Sequence, residues 1–180
     1  MTDVLVQELY KAHAAVALRG NPSHQALVLS AMGTGDYFKA IASAILMLGG
    51  LHGPLMQTYD LLALDCPLDE VARRLNSGIR IPGWGNGFYK QGIEPEFQPV
   101  AIELARVNPE ICAKIDVITD YIHGYDDGRL KIYPNPSCFT AATAITVGLP
   151  RETVGVLALQ GRLMIWTEDF MRVIAESPKI

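Results

Sequence analysis

His52 stands between glycines in Gly49-Gly50-Leu51-His52-Gly53-Pro54, directly after an apolar run containing Ile41, Ile45, Leu46 and Leu48. Glycine on both sides lets a ligand approach the backbone closely. An imidazole at such a helix–loop junction can donate a hydrogen bond to an oxygen that gains negative charge during a reaction. Two further segments carry polar groups among glycine and proline: Ile81-Pro82-Gly83-Trp84-Gly85-Asn86-Gly87-Phe88-Tyr89-Lys90 and Tyr133-Pro134-Asn135-Pro136-Ser137. The Asn86 amide donates hydrogen bonds but transfers no proton near neutral pH. Ser137 is a very poor base unless a neighbour activates it, and no histidine lies close to it in sequence. These residue types favour stabilising a developing charge over abstracting a proton.

Helices must position these groups. Leu5, Leu9, Ala12 and Val16 recur at helical spacing, and Gly20-Asn21-Pro22-Ser23 ends that segment. Ser23 is the expected cap of a second helix, 23–32, before the turn Gly33-Thr34-Gly35. Asp36 then caps an almost wholly apolar helix, 37–48, and apolarity on every face points to burial between layers or at a subunit interface. Further helices are expected over 52–64 and from Pro67 past Leu68, Val71 and Leu75. The stretch 77–95, with five glycines and two prolines, reads as loop. Helices follow over 97–106, 109–125, 137–147 and 151–175, and the turn Asp126-Asp127-Gly128 precedes the one expected strand, 130–133. The fold class is all-α, a compact multi-helix bundle in one domain of 180 residues.

Bulk properties narrow the function. Hydrophobic residues make up 49% of the chain, enough for a substantial core. The formal net charge is −4, and no Lys/Arg cluster offers a footprint for nucleic acid. No apolar run is long enough to cross a bilayer, and the N-terminal segment does not read as a signal peptide. Cys66, Cys112 and Cys138 have unrelated spacings that suit neither a disulfide framework nor a zinc site, and free thiols fit a cytoplasmic location. No metal site is expected.

In order and approximate spacing, the three segments resemble the active-site motifs of the citrate synthase superfamily. The first resembles its Gly-Pro-Leu-His-Gly-Gly element, the second Gly-x-Gly-His-x-x-Tyr-Lys, and the third Tyr-Pro-Asn-Val-Asp. Gly161-Arg162 with Trp166 resembles the Gly-Arg segment further on, and Asn21-Pro22-Ser23 a turn near the start. The resemblance covers the later part of a usual member, so the expected fold is the C-terminal part of that bundle. It implies interface helices over 1–76, a coenzyme-A-handling region over 77–150 and closing helices over 151–180.

The implied chemistry forms or cleaves a carbon–carbon bond next to an acyl-CoA thioester, as an acyltransferase or a lyase. Carried over residue by residue, His52 is the enolate donor, Asn86 stands in place of the second histidine, and Ser137 in place of the catalytic aspartate. Without that aspartate, the base must come from Asp126, Asp127, a water or a partner chain. Arg162 could hold a substrate carboxylate bidentately. Glu96 takes the place of a substrate-binding arginine, and Leu18 that of an earlier substrate histidine, unless His13 or His24 replaces it. On the coenzyme side, Gly83, Gly85 and Gly87 line the adenine end, and Arg129 and Lys131 stand where phosphate-binding cations are found. The implied ligands are a coenzyme A thioester and a 2-oxo acid. An isologous homodimer through residues 27–32 and 37–48 is expected, with a longer citrate-synthase-like chain as a further candidate partner.

Each residue also has a plainer role. His52 could cap a helix, the glycines could only shape a loop, and Arg162 could pair with Glu168 or Asp169. Cys138 reads as buried filler, and His13, His24 and His123 as surface or partly buried residues without chemistry. Tyr37, Phe38, Phe88, Tyr89 and Trp166 read as core. On the functional side, the alternative to an enzyme is a non-catalytic subunit that binds a partner protein or a CoA ligand.

Overall fold

Asparagine or aspartate followed by proline or an apolar repeat marks four of the helix starts. In the computed structural model, which describes residues 2–48 and 53–177, nine α-helices follow one another. They are α1 (Thr2–Ala15), α2 (Pro22–Thr34), α3 (Tyr37–Leu46), α4 (Leu55–Ala63), α5 (Pro67–Asn76), α6 (Gln98–Val107), α7 (Pro109–Gly124), α8 (Pro136–Thr146) and α9 (Val154–Glu176). Short 3-10 turns at Pro95–Phe97, Tyr125–Gly128 and Arg151–Thr153 link some of them. Gly49, Gly50, Leu51 and His52 lie outside the described residues, so the histidine singled out from the sequence has no structural account.

The side chains of Asn21, Asp36, Asn108 and Asn135 accept backbone N–H groups at the starts of α2, α3, α7 and α8. The second helix therefore begins at Pro22, one residue before the expected Ser23. Asn21 supplies the cap, and Pro22 takes the first helical position, where its missing N–H costs nothing. The strand expected over 130–133 does not form; the described residues contain one isolated bridge, Trp84 to Pro134. Pro134 and Pro136 have no N–H to continue a ladder.

Two apolar cores are joined by α9. Leu157 and Ala158 pack in the larger one with Leu5, Leu9, Phe97 and Ile118. Trp166, Phe170 and Val173 pack in the smaller one with Leu27, Ala31 and Ile41. Helix α8 is buried along one continuous run from Ser137 to Ala144. Helix α1 crosses α9 at Gly161, where an added Cβ would sit 2.7 Å from His13 Cβ and 2.9 Å from the Tyr10 carbonyl oxygen. The absent side chain sets how closely those helices approach.

Helix α3 differs from its expected burial. Ala40, Ile41 and Ala44 face the core, but Phe38 and Leu46 are 80% and 83% exposed. Leu29 and Met32 of α2 are exposed as well. Phe88 is another exception to the aromatic core, whereas Trp166 is fully buried. No helix among the described residues is long and apolar enough to cross a membrane.

Gly161→Ala should destabilise the protein by about 1–3 kcal/mol, because the methyl group meets backbone and a Cβ instead of a movable side-chain tip. Gly155→Ala, in the same helix with open space around it, should leave stability unchanged or raise it by up to about 1 kcal/mol. Urea unfolding of both variants compares the two; equal effects would refute the close crossing.

Candidate functional site

Asn135 stitches two distant segments together. Its backbone N–H donates to the Gly83 carbonyl at 2.9 Å, and its Nδ2 donates to the Gly85 carbonyl at 2.8 Å. Gly85 N–H in turn donates to the Tyr133 carbonyl at 2.9 Å, while Asn135 Oδ1 accepts from Ser137 N–H at 2.9 Å. Gly83 and Gly85 have φ of +87° and +82°, a region open to glycine, and a Cβ on Gly83 would lie 2.5 Å from Thr58 Cγ2. The glycine loop is thereby pinned to the head of α8. Those glycines spend much of their backbone polarity on this seam: both carbonyls and the Gly85 N–H.

Beside the seam lies a half-open pocket of about 220 Å³, lined among others by Arg19, Asn86, Glu94, Ser137 and Arg162. Asn86, Ser137 and Arg162 thus meet at one cavity although 76 positions of sequence separate the first from the last. Gly53 and Pro54, which directly follow His52, also line it.

Arg162 is 7% exposed. One of its terminal nitrogens donates to His13 Nδ1 at 3.4 Å, and its guanidinium carbon lies 6.0 Å from the Trp166 ring. Its Nε and other terminal nitrogen are buried without a hydrogen-bond partner among the described residues. Burial lowers its pKa to about 10, so it remains cationic at neutral pH. The pairing with Glu168 or Asp169 considered from sequence does not form: Asp169 accepts from His24 Nε2 at 2.9 Å and from Arg172. No carboxylate among the described residues forms an ion pair with Arg162.

His13, read from sequence as at most partly buried, is 1% exposed, because α1 turns it inward beneath the Gly161 crossing. The Thr140 hydroxyl donates to the Pro136 carbonyl at 2.7 Å and so accepts from His13 Nε2 at 2.8 Å. That leaves the Nδ1 lone pair for Arg162. Burial, and then the Arg162 charge, hold the His13 pKa well below the ordinary imidazole value. A neutral histidine of defined tautomer therefore supports the cation.

Glu94, also buried, faces the same pocket. It is ion-paired with Arg19 and accepts from Asn86 Nδ2 at 3.0 Å, and Arg19 pairs with Glu96 as well. Asn86 Oδ1 accepts from Phe88 N–H at 2.8 Å. Asn86 is therefore already held within its loop, and the carboxylate that lines the pocket is Glu94 instead of an aspartate at position 137. Cys138 is fully buried with its thiol pKa raised by burial, which suits filler and not a nucleophile.

A second cleft of about 350 Å³ runs along Ile79, Arg80, Ile81, Pro82 and Trp84, and Arg80 lines both cavities. Arg129 and Lys131 are exposed and line neither. Arg19, Arg80 and Glu94 were not marked as site residues by sequence, and His13 only as an alternative for the substrate histidine. Only Arg80, directly before Ile81-Pro82-Gly83, and Glu94, just after the loop, carry a local signal. No group of three or more His, Cys, Asp or Glu among the described residues could hold a metal ion.

Three solved structures share this architecture. Citryl-CoA lyase from Hydrogenobacter thermophilus superposes with a TM-score of 0.81 at 19% identity, over 98% of this chain and 70% of that one. The fold is citrate-synthase-like. Citrate synthase from Thermotoga maritima gives 0.65 at 22% identity, over 89% of this chain and 46% of that one. ATP citrate lyase from Methanothrix soehngenii, solved with citrate and coenzyme A, gives 0.70 at 15% identity, over 93% of this chain and 30% of that one. This citrate-synthase-like chain thus spans less than two thirds of two of the three. No protein-family model matches it, and no curated protein matches it by sequence.

The buried neutral His13 has a consequence for acid stability. In the unfolded chain its imidazole protonates below about pH 6.5. The native state excludes that proton, so the related stability is complete above this pH. It is lost below it at up to about 1.4 kcal/mol per pH unit, until the lowered native pKa is reached. His13→Gln should flatten the fall in unfolding free energy between about pH 7.5 and about pH 5.5. Identical slopes in the two proteins would mean that His13 binds its proton equally in the native and unfolded states, which would refute its exclusion.

Proposed function

We propose that this chain binds a coenzyme A thioester along the cleft of Ile79–Trp84 and a carboxylate at Arg162, and forms or cleaves the carbon–carbon bond next to the thioester. The observation that carries this is the single pocket shared by Asn86, Ser137 and the buried Arg162, which opens beside that cleft. The fold shared with a citryl-CoA lyase and a citrate synthase supports it.

In the cleavage direction, the bond between the α-carbon of the thioester and the carbinol carbon breaks. The carbinol hydroxyl loses its proton and becomes a ketone, and the electron pair passes to the thioester as an enolate. His52 donates to the enolate oxygen, in keeping with the resemblance of its motif. Arg162 fixes the carboxylate of the ketone fragment. Asn86 orients the pocket wall through Glu94, and the carbinol proton leaves to Glu94 or to water.

A second reading, a ligand-binding subunit without turnover, is favoured by one specific point. Asn86 and Glu94 already satisfy each other, and the Ser137 hydroxyl has no hydrogen-bonded base among the described residues. Calorimetric titration with acetyl-CoA and free coenzyme A tests the shared part of both readings. Arg80→Ala should weaken binding by about tenfold, as expected for loss of one phosphate or carboxylate contact. Arg129→Ala/Lys131→Ala tests the coenzyme-phosphate role given to those cations by the sequence resemblance. Release of a 2-oxo acid from 3-carboxy-3-hydroxyacyl-CoA esters then separates the readings: turnover supports the enzyme, and saturable binding without turnover the subunit. No binding at millimolar ligand would sink both.

The chain forms an isologous homodimer through α2 and α3, whose Leu29, Met32, Phe38 and Leu46 leave an apolar face open. Analytical ultracentrifugation should show a dimer that Phe38→Glu/Leu46→Glu converts to monomer. A wild-type monomer at micromolar concentration would contradict this.

A further inference from the structure

Three side chains on one face of α9 reach the surroundings of the acid pocket. Arg162, Trp166 and Asp169 follow one another at spacings of four and three residues, which places them on the same side of the helix. Arg162 is the buried cation of the pocket. Trp166 Nε1 donates to the Ala17 carbonyl at 3.3 Å. Asp169 is buried; one oxygen accepts from His24 Nε2 at 2.9 Å and the other from Arg172 Nε at 3.0 Å. Ala17 and His24 flank the turn between α1 and α2, which brings Arg19 and Asn21 to the pocket wall.

His24 pins that turn. The Gly20 N–H donates to its Nδ1 at 3.2 Å, so the imidazole carries a hydrogen on Nε2 and directs it at Asp169. The Gly20 carbonyl accepts from Gln25 Nε2 at 2.7 Å, so the first turn of α2 takes both polar groups of this glycine. The next residue back, Arg19, pairs with Glu94 and Glu96, and Glu94 also accepts from Asn86. A path of polar contacts therefore runs from α9 through His24 and the Gly20–Arg19 backbone to Glu94. Among the described residues, Glu94 is the one carboxylate that lines the pocket, and both its oxygens are taken by this path and by Asn86.

Resting on the reading of Arg162 as a carboxylate anchor, we propose that His24 is a positioning residue for it. Tied to Asp169, His24 holds Arg19 on Glu94 and so keeps the pocket's own carboxylate from cancelling the Arg162 charge. Released from Arg19, Glu94 competes with an incoming acid as a carboxylate tethered in the same cavity, where its effective concentration is high. The latch acts on the acid and not on the second cleft, which neither Arg19 nor Glu94 lines.

The test titrates the full chain calorimetrically with citrate and with pyruvate as carboxylate probes. His24→Leu removes donor and acceptor together and should weaken the acids that wild type binds by about tenfold or more. Adding Glu94→Gln to His24→Leu should restore affinity to within about threefold of wild type, because the tethered competitor is gone. His24→Gln, which keeps a donor for Asp169, takes the place of His24→Leu should that variant not fold; it should show a smaller loss with the same rescue. A loss that Glu94→Gln does not rescue would reduce His24 to a purely structural residue and overturn the latch. Equal affinity in wild type and His24→Leu, with Arg162→Gln abolishing binding, would overturn the latch and leave the carboxylate anchor standing. Failure of wild type to bind either acid at millimolar concentration would overturn the anchor and the latch together.

Discussion

A guanidinium held away from water at the crossing of two helices is the constraint on which this molecule is built. Arg162 reaches its position because Gly161 lets α1 lie against α9, and because α1 brings His13 to exactly one of its nitrogens as a neutral acceptor. Thr140 settles the tautomer by spending its own hydrogen on Pro136. Helices α1, α8 and α9 are thus locked by one chain of hydrogen bonds, from the Pro136 carbonyl through Thr140 and His13 to the arginine. Removing any member leaves a buried polar group unpaired, which costs more than the bond it made was worth.

The second organising element is the seam at Asn135. It caps α8, accepts and donates around the glycine loop, and fixes the wall shared by the two cavities. Loops are ordinarily the mobile part of a site. Here the loop is tied to the most buried helix of the domain by three hydrogen bonds, so the cavity beside it is preorganised. The same seam explains why the extended segment before α8 never becomes a strand. Its pairing partner is a loop whose glycines turn away after a single bridge.

What the sequence disclosed follows from how local each signal was. Asp36, Asn108-Pro109 and the apolar repeat of α1 are short-range signals, and the helices they mark formed where expected. Ser23 lost the cap to Asn21 because two adjacent residues could both serve and proline favoured the earlier one. The outward face of α3 was misread because an apolar helix announces burial without saying which chain supplies the cover. Within the site, the motif residues Asn86 and Ser137 and the later Arg162 were visible from sequence. The Arg19 pairing was invisible, since its partners lie 75 and 77 positions away. The burial of His13, named from sequence only as an alternative substrate histidine, was equally hidden: it depends on a glycine in another helix, 148 positions away.

An arginine without a carboxylate, in a cavity that holds a glutamate, is an arrangement that stability alone would remove. Hydrophobic residues of similar volume often replace buried ions at no loss or with a gain, and Glu94 could have served as the counter-ion had it been turned towards Arg162. Instead Glu94 has its own arginine and its own amide, and although it lines the same cavity it makes no ion pair with Arg162. Separate compensation of Glu94 leaves the Arg162 charge uncancelled and directed at the cavity. That division is what a binding site requires: a structural ion pair would have closed the pocket, whereas an isolated cation and a compensated acceptor cluster leave room for a ligand between them.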